Sequence, residues 1–241
     1  MLHKTRGIAL HTIKYGDTSI IAHVYTEGFG RQAYIVKGAY NKKSSIKAAL
    51  FYPLNLLEMD VYYKPGSNLQ KIKEAQNSPI YKHIPFNSQK NAIVVFLSEI
   101  IYRTLREEEA NPRLFNFILN ALQILDLGTK KVADFHLIFL LQLSKFTGFY
   151  PLDNYSTTEP IFDLLNGRFV SDAPIHGHFI HFDESKIFSS LINKSFDDLG
   201  TIKLSRELRQ YLLEKLVEYY RLHIENMGNV KSLQVLKEVF D

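Results

Sequence analysis

The sequence predicts an α+β protein, a small N-terminal β-barrel followed by a larger helical body. Five short runs of β-forming residues, separated by glycine-bearing turns, lie within residues 7–76. Beyond residue 78 the apolar residues recur at helical spacing. Charge divides the same way. Residues 1–78 carry eleven Lys or Arg against five Asp or Glu, and the remainder carries eighteen against twenty. The excess is concentrated between Arg31 and Lys47, RQAYIVKGAYNKKSSIK, which holds five cations and no acid. A polyanion would meet this chain at its N-terminal end.

Residues 7–15 are the first predicted strand, and Tyr15-Gly16-Asp17-Thr18 is a turn. Residues 19–26 alternate with a period of two, Ile20, Ala22 and Val24 against Ile21, His23 and Tyr25. Glu27-Gly28-Phe29-Gly30 is a tight hairpin into residues 31–37, where Ala33, Ile35 and Lys37 share one face and Tyr34 and Val36 the other. A connection over 39–53 has room for one helical turn. Residues 54–63 and 69–76 are the fourth and fifth strands, joined through Lys64-Pro65-Gly66-Ser67-Asn68. Five strands with one longer connection, between the third and fourth, suit an OB-fold barrel, with an SH3-like barrel as the alternative.

Asn77-Ser78-Pro79 and Ile84-Pro85 mark a boundary, giving a barrel domain over 1–78 and a helical domain over 79–241. Ser88 is the expected cap of a buried helix reaching about residue 106. Asn111-Pro112 opens a second, ended by Gly128. A third, over 132–147, is too apolar for a surface. Residues 151–182 read as an irregular or hairpin insert. Asp183, Ser205 and Ser232 are the expected caps of helices ending near residues 193, 227 and 240.

Hydrophobic residues make up 46% of the chain, enough for a packed core. The absence of cysteine excludes disulfides, thiolate metal sites and a cysteine nucleophile. The segment MLHKTRGIAL lacks an apolar signal core, and no apolar run reaches the roughly 18 residues of a membrane span. A soluble, cytoplasmic protein with no membrane association is expected.

Enzyme signatures are missing. GAYNKKSS lacks the glycine that a phosphate-binding loop places directly before its Lys-Ser, and neither a Gly-x-Ser-x-Gly elbow nor a His-Glu-x-x-His helix occurs. No catalytic residue and no cofactor is assigned. His176, His178 and His181 cluster beside Asp183, and two histidines at i and i+2 on a strand share a face. With no thiolate and no matching acid–histidine motif, the cluster is read as a histidine-bearing surface strand and no metal is assigned.

The basic stretch carries the nucleic-acid reading. Arg31, Lys37, Lys42, Lys43 and Lys47 are interleaved with Tyr34 and Tyr40. Cations displace phosphate counterions and flat rings stack on bases. The plain alternative is a solvated lysine loop.

These residues resemble the RecO recombination mediators of bacteria. The resemblance lies in Gly7-Ile8-Ala9-Leu10, Tyr15-Gly16-Asp17-Thr18-Ser19, Thr26-Glu27-Gly28-Phe29-Gly30 and Lys37-Gly38-Ala39, then Leu50-Phe51-Tyr52-Pro53 leading into Leu56-Leu57-Glu58. It continues through Leu143-Ser144-Lys145-Phe146-Thr147-Gly148-Phe149-Tyr150-Pro151 and the closing Lys231–Glu238 helix. Many members carry two Cys-x-x-Cys pairs forming a zinc knuckle after the Gly-x-x-Pro stretch. This chain has none, and packing of Phe162, Leu164, Phe169 and Val170 is expected to replace the metal.

The resemblance implies a DNA repair and recombination mediator without chemistry of its own. It implies binding of single- and double-stranded DNA, annealing of complementary strands, and action with RecR to help load RecA on DNA coated by single-strand-binding protein, in the cytoplasm on nucleoid DNA. It also implies binding of that coating protein's acidic C-terminal tail. A basic rim near the third helix, Lys130, Lys131 and Lys145, is the expected tail site. Two other readings stand beside it: a generic OB-fold single-stranded DNA or RNA binder without a mediator role, and a hydrolase using the histidine cluster.

Overall fold

The computed structural model describes residues 1–128, 132–201 and 203–240. Five strands, β1 (Leu2–Tyr15), β2 (Ser19–Thr26), β3 (Gly30–Val36), β4 (Leu56–Tyr62) and β5 (Gln70–Asn77), close into a barrel in the order β1-β2-β3-β5-β4. β1 pairs antiparallel with both β2 and β4, while β3 and β5 run parallel. This is the order of an OB barrel, and the parallel seam sets aside the SH3-like alternative. The connection between β3 and β4 contains a short 3-10 helix, Ala48–Phe51, where one helical turn was expected.

The period-two pattern of β2 holds in three dimensions. Ile20, Ala22 and Val24 point into the barrel beside Tyr34 and Val36 of β3 and Met59 and Val61 of β4, with Phe51 and Ile46 closing the core from the connection. β1 starts earlier than its pattern, because Leu2–Arg6 pair with Tyr62–Glu58 of β4 although they show no apolar alternation.

Helix α1 (Ser88–Thr104) is capped by Asn87, whose side chain accepts from the Lys90 N–H at 2.9 Å, one residue before the predicted Ser88. Helix α2 (Pro112–Leu127) begins as predicted, with Asn111 Oδ1 accepting from the Leu114 N–H at 3.0 Å. Both helices pack on the barrel's outer wall. Ser98 Oγ donates to the Leu10 carbonyl at 2.5 Å, and the Tyr25 and Phe115 rings stack at 6.4 Å. The first compact unit is accordingly Met1–Leu127, and the second is Gly128–Asp241.

The second unit contains α3 (Phe135–Thr147), β6 (Ile161–Asp163), β7 (Arg168–Val170), β8 (Phe179–Ile180), α4 (Phe182–Ile192), α5 (Arg206–His223) and α6 (Ser232–Val239). α3 stops at Gly148, whose φ of +85° is the left-handed conformation of a helix C-cap. The segment that reads as irregular holds a small antiparallel sheet, β7-β6-β8. Phe162 is fully buried there, with ring centroids 4.9 Å from Phe169, 4.6 Å from Phe188 and 5.9 Å from Tyr219. Leu164 and Phe169 are buried with it, while Val170 is only partly so. α4 begins at Phe182 with His181 in the cap position, not Asp183, and the cap position of α6 is Lys231, not Ser232. Ser205 does cap α5, but the helix ends at His223 rather than near Met227. Among the described residues no helix is long and apolar enough to cross a membrane.

Candidate nucleic-acid interface

The connection after β3 is fastened at its base and free at its tip. Gly38, at φ +66°, turns the chain out of the strand. The Tyr40 N–H then donates to the Thr18 carbonyl at 3.2 Å, and the Ala48 N–H to the Ala39 carbonyl at 3.1 Å. Ala39 and Ile46 are buried as anchors. Between them Lys42 and Lys43 are exposed, and Tyr40 is 59% exposed. Lys37, at the mouth of the connection, is exposed as well. Lys37, Lys42 and Lys43 enter no ion pair among the described residues, so their charge is open to a polyanion.

Three other predicted residues are engaged elsewhere. Lys47 turns back and donates from Nζ to the Asn41 and Lys42 carbonyls, bracing the loop. Arg31 is directed at α1: its guanidinium donates to the Tyr102 and Leu105 carbonyls at 2.9 and 3.1 Å, and burial lowers its pKa. Tyr34 is fully buried in the barrel, so its ring offers no face to a base. Burial also pushes its hydroxyl pKa well up. The sequence pattern had placed Tyr34 opposite Lys37, and the barrel turns that face inward.

Lys71 and Lys73 were missed. They alternate along β5 and are exposed, and the parallel seam brings them beside Lys37 around a cavity of about 350 Å³. Their spacing in the fifth strand is the only signal of this that the sequence holds. Two other parts of the barrel are less favourable to DNA. His23 of β2 lies against Tyr102 of α1, and the start of β3 lies against the segment after that helix. A Cβ on Gly30 would lie 2.4 Å from the Glu109 carbonyl oxygen and 2.7 Å from that of Glu107, and the Arg31 N–H donates to the Glu107 carbonyl at 3.0 Å. A larger hollow of about 680 Å³ beside β1 and β4 carries Glu27, Glu58, Asp60 and Glu74 against Lys4 and Arg6.

In the second unit the His176 and His178 rings stack at 5.7 Å but meet different carboxylates. His176 Nε2 lies 3.3 Å from Asp163 Oδ1, His178 Nδ1 lies 2.7 Å from Glu218 Oε1, and His181 stacks beside Tyr211. Among the described residues no group of three metal-ligating side chains converges. Lys145 is exposed with Nζ 4.5 Å over the Tyr150 ring, and Lys130 and Lys131 lie outside the described residues.

Fold and surface together define an OB-barrel protein with a basic edge and a helical body. The family model described as recombination protein O, N terminal, matches residues 1–79, and the one described as recombination protein O, C terminal, matches residues 86–234. The chain is 41% identical over 243 residues to a Bacteroides fragilis protein and 39% identical over 240 residues to one from Phocaeicola vulgatus, both named DNA repair protein RecO, with 100% of each chain covered. A protein of the same name from Porphyromonas gingivalis is 32% identical over 245 residues, again over 100% of both chains. The chain belongs to the recombination protein O family.

Proposed function

We propose that this protein serves DNA repair and homologous recombination by binding DNA rather than by catalysis. It binds single- and double-stranded DNA at the basic edge of the barrel and anneals complementary strands. With RecR it helps load RecA onto DNA coated by single-strand-binding protein, acting in the cytoplasm on nucleoid DNA. Residues 1–78 hold the DNA, and residues 79–241 meet protein partners, including the coating protein's acidic tail, for which Lys145 is one candidate contact. Family membership over the whole chain supports this role. The observation that carries the DNA reading is the set of exposed cations Lys37, Lys42 and Lys43, in no ion pair among the described residues, with the exposed ring of Tyr40 on one fastened connection. Annealing brings two polyanions together, and a surface of this kind lowers their repulsion without any catalytic group.

The test is strand annealing by the full chain, with bare strands and with strands coated by single-strand-binding protein. Annealing of both is expected, and Lys42→Glu with Lys43→Glu is expected to slow both. Binding without annealing would favour a generic single-strand binder.

A further inference from the structure

We propose that a single DNA strand runs along the seam between β3 and β5, its phosphates gripped by Lys37, Lys71 and Lys73. This rests on the DNA-binding reading above and supplies the path that reading leaves open. The β3–β5 ladder has two residue pairs, Tyr34 with Gln70 and Ile35 with Lys71. Lys37 lies two positions beyond Ile35, and Lys73 sits at the irregularity where β5 shifts register against β4, and Lys37, Lys71 and Lys73 are all exposed. Past that pair the strands part around the cavity of about 350 Å³, with Ile72 in its lining and Ser44 and Ser45 of the connection along its side.

The charge on this face is uncompensated from within. Like charges on neighbouring strand positions oppose each other. Lys37 and Lys71 enter no ion pair among the described residues. Among the described residues Lys73 pairs only with Glu74, at 3.6 Å between exposed side chains, a contact that solvent weakens. A phosphate chain laid between the two strands relieves that repulsion. Two other parts of the barrel are less open to DNA. OB barrels commonly bind along β2 and β3, but here the backbone of Glu107 and Glu109 sits against the Gly30–Arg31 end of that face. The larger hollow presents four carboxylates.

The cavity's form selects a single strand. It combines cations with the half-buried side chain of Ile35, a pairing that suits phosphates on one side and sugars or unstacked bases on the other. A duplex keeps its bases stacked inside and cannot enter a space of this size.

The experiment measures binding of a fluorescein-labelled oligothymidine and of a matched duplex to the full chain by anisotropy over a salt series. Lys71→Glu with Lys73→Glu is compared with wild type and with a charge-matched reversal elsewhere, Lys186→Glu with Lys203→Glu. The groove variant is expected to lose about tenfold or more in single-strand affinity, with the salt slope shallower by roughly 1.4, the share of two phosphate contacts. The charge-matched control is expected to lose much less, and the groove variant's duplex affinity to fall less than its single-strand affinity. Should the double reversal misfold, Lys71→Gln with Lys73→Gln must show the same change in slope. An unchanged single-strand slope in a folded groove variant, with wild type binding normally, overturns the groove while leaving the DNA reading intact. Equal losses on single strand and duplex overturn its assignment to a single strand. A wild type that binds neither DNA overturns the reading itself.

Discussion

Lys90 donates from Nζ to the backbone carbonyl of Asp126 at 2.8 Å, while the Asp126 carboxylate accepts the N–H groups of Lys82, His83 and Ile84, each at 2.8 Å. Lys90 thereby satisfies a carbonyl at the end of α2, and Asp126 fastens the segment that leaves the barrel. Burial by itself would raise the Asp126 pKa, but the three donors outweigh it and hold the carboxyl below its ordinary range.

Asp126→Ala leaves three donors without their acceptor and is expected to cost about 2–4 kcal/mol of stability in urea unfolding of the full chain. Asp126→Asn, which keeps one acceptor oxygen, should recover part of that. Because the folded carboxyl pKa is depressed, this contribution is present above the unfolded pKa and lost as pH falls through the folded one. An alanine variant as stable as wild type would show that the clasp is incidental.

Arg31 is expected to matter for folding rather than for DNA. Its guanidinium lies 4.2 Å over the Tyr102 ring as well as donating to α1 carbonyls. Arg31→Ala should lower stability by about 1–3 kcal/mol and leave the salt slope of single-strand binding unchanged. A slope that becomes shallower by one contact, at unchanged stability, would restore Arg31 to the DNA surface.

Acid should destabilise the protein through buried neutral histidines. Burial first, and then Arg209, lowers His136 to about 3, and burial, Arg31 and His11 lower His23 to about 4. A folded pKa below the ordinary 6.5 means that the unfolded chain binds more protons between the two values. Stability is therefore full above about pH 6.5 and falls as the pH drops toward 4, by at most about 1.4 kcal/mol per pH unit for the fully buried His136. Thermal unfolding of wild type and His136→Asn over this window checks the sign. Parallel pH curves for the two would exclude His136 as a source.

The sheet around Phe162 is expected to stand on aromatic packing without metal. Phe162→Ala should cost about 3–5 kcal/mol in the second unit, and a chelator should leave the melting temperature of wild type unchanged. Stoichiometric zinc in untagged protein, released by His176→Ala or His178→Ala, would contradict this.

Much of the fold was legible in local pattern. β2 matches its predicted span because apolar and polar residues alternate between a filled interior and a helix-covered exterior. α2 was legible from Asn111-Pro112, a cap and a proline that act through the nearest backbone. What was hidden depends on partners distant in sequence. Leu2–Arg6 become strand only through β4, and the strands of β7-β6-β8 are too short to show a period. The same limit applies to the site. Exposed Lys42 and Lys43 were read from charge alone. Which face of β3 turns inward, and hence the burial of Tyr34, depends on barrel closure, as does the meeting of Lys37 with Lys71 and Lys73.

The packing of α1 and α2 on the barrel has a consequence for the order in which the chain is made. During synthesis the five strands leave the ribosome first, but the wall formed by β1, β2 and β3 still lacks Ser98 for Leu10, Phe115 for Tyr25, and Tyr102 and Leu105 for Arg31. Those groups stay wet until the second helix emerges. Residues 1–78 alone therefore leave Leu10, Tyr25 and Arg31 without their partners, and the wall is complete only once the chain has reached Leu127.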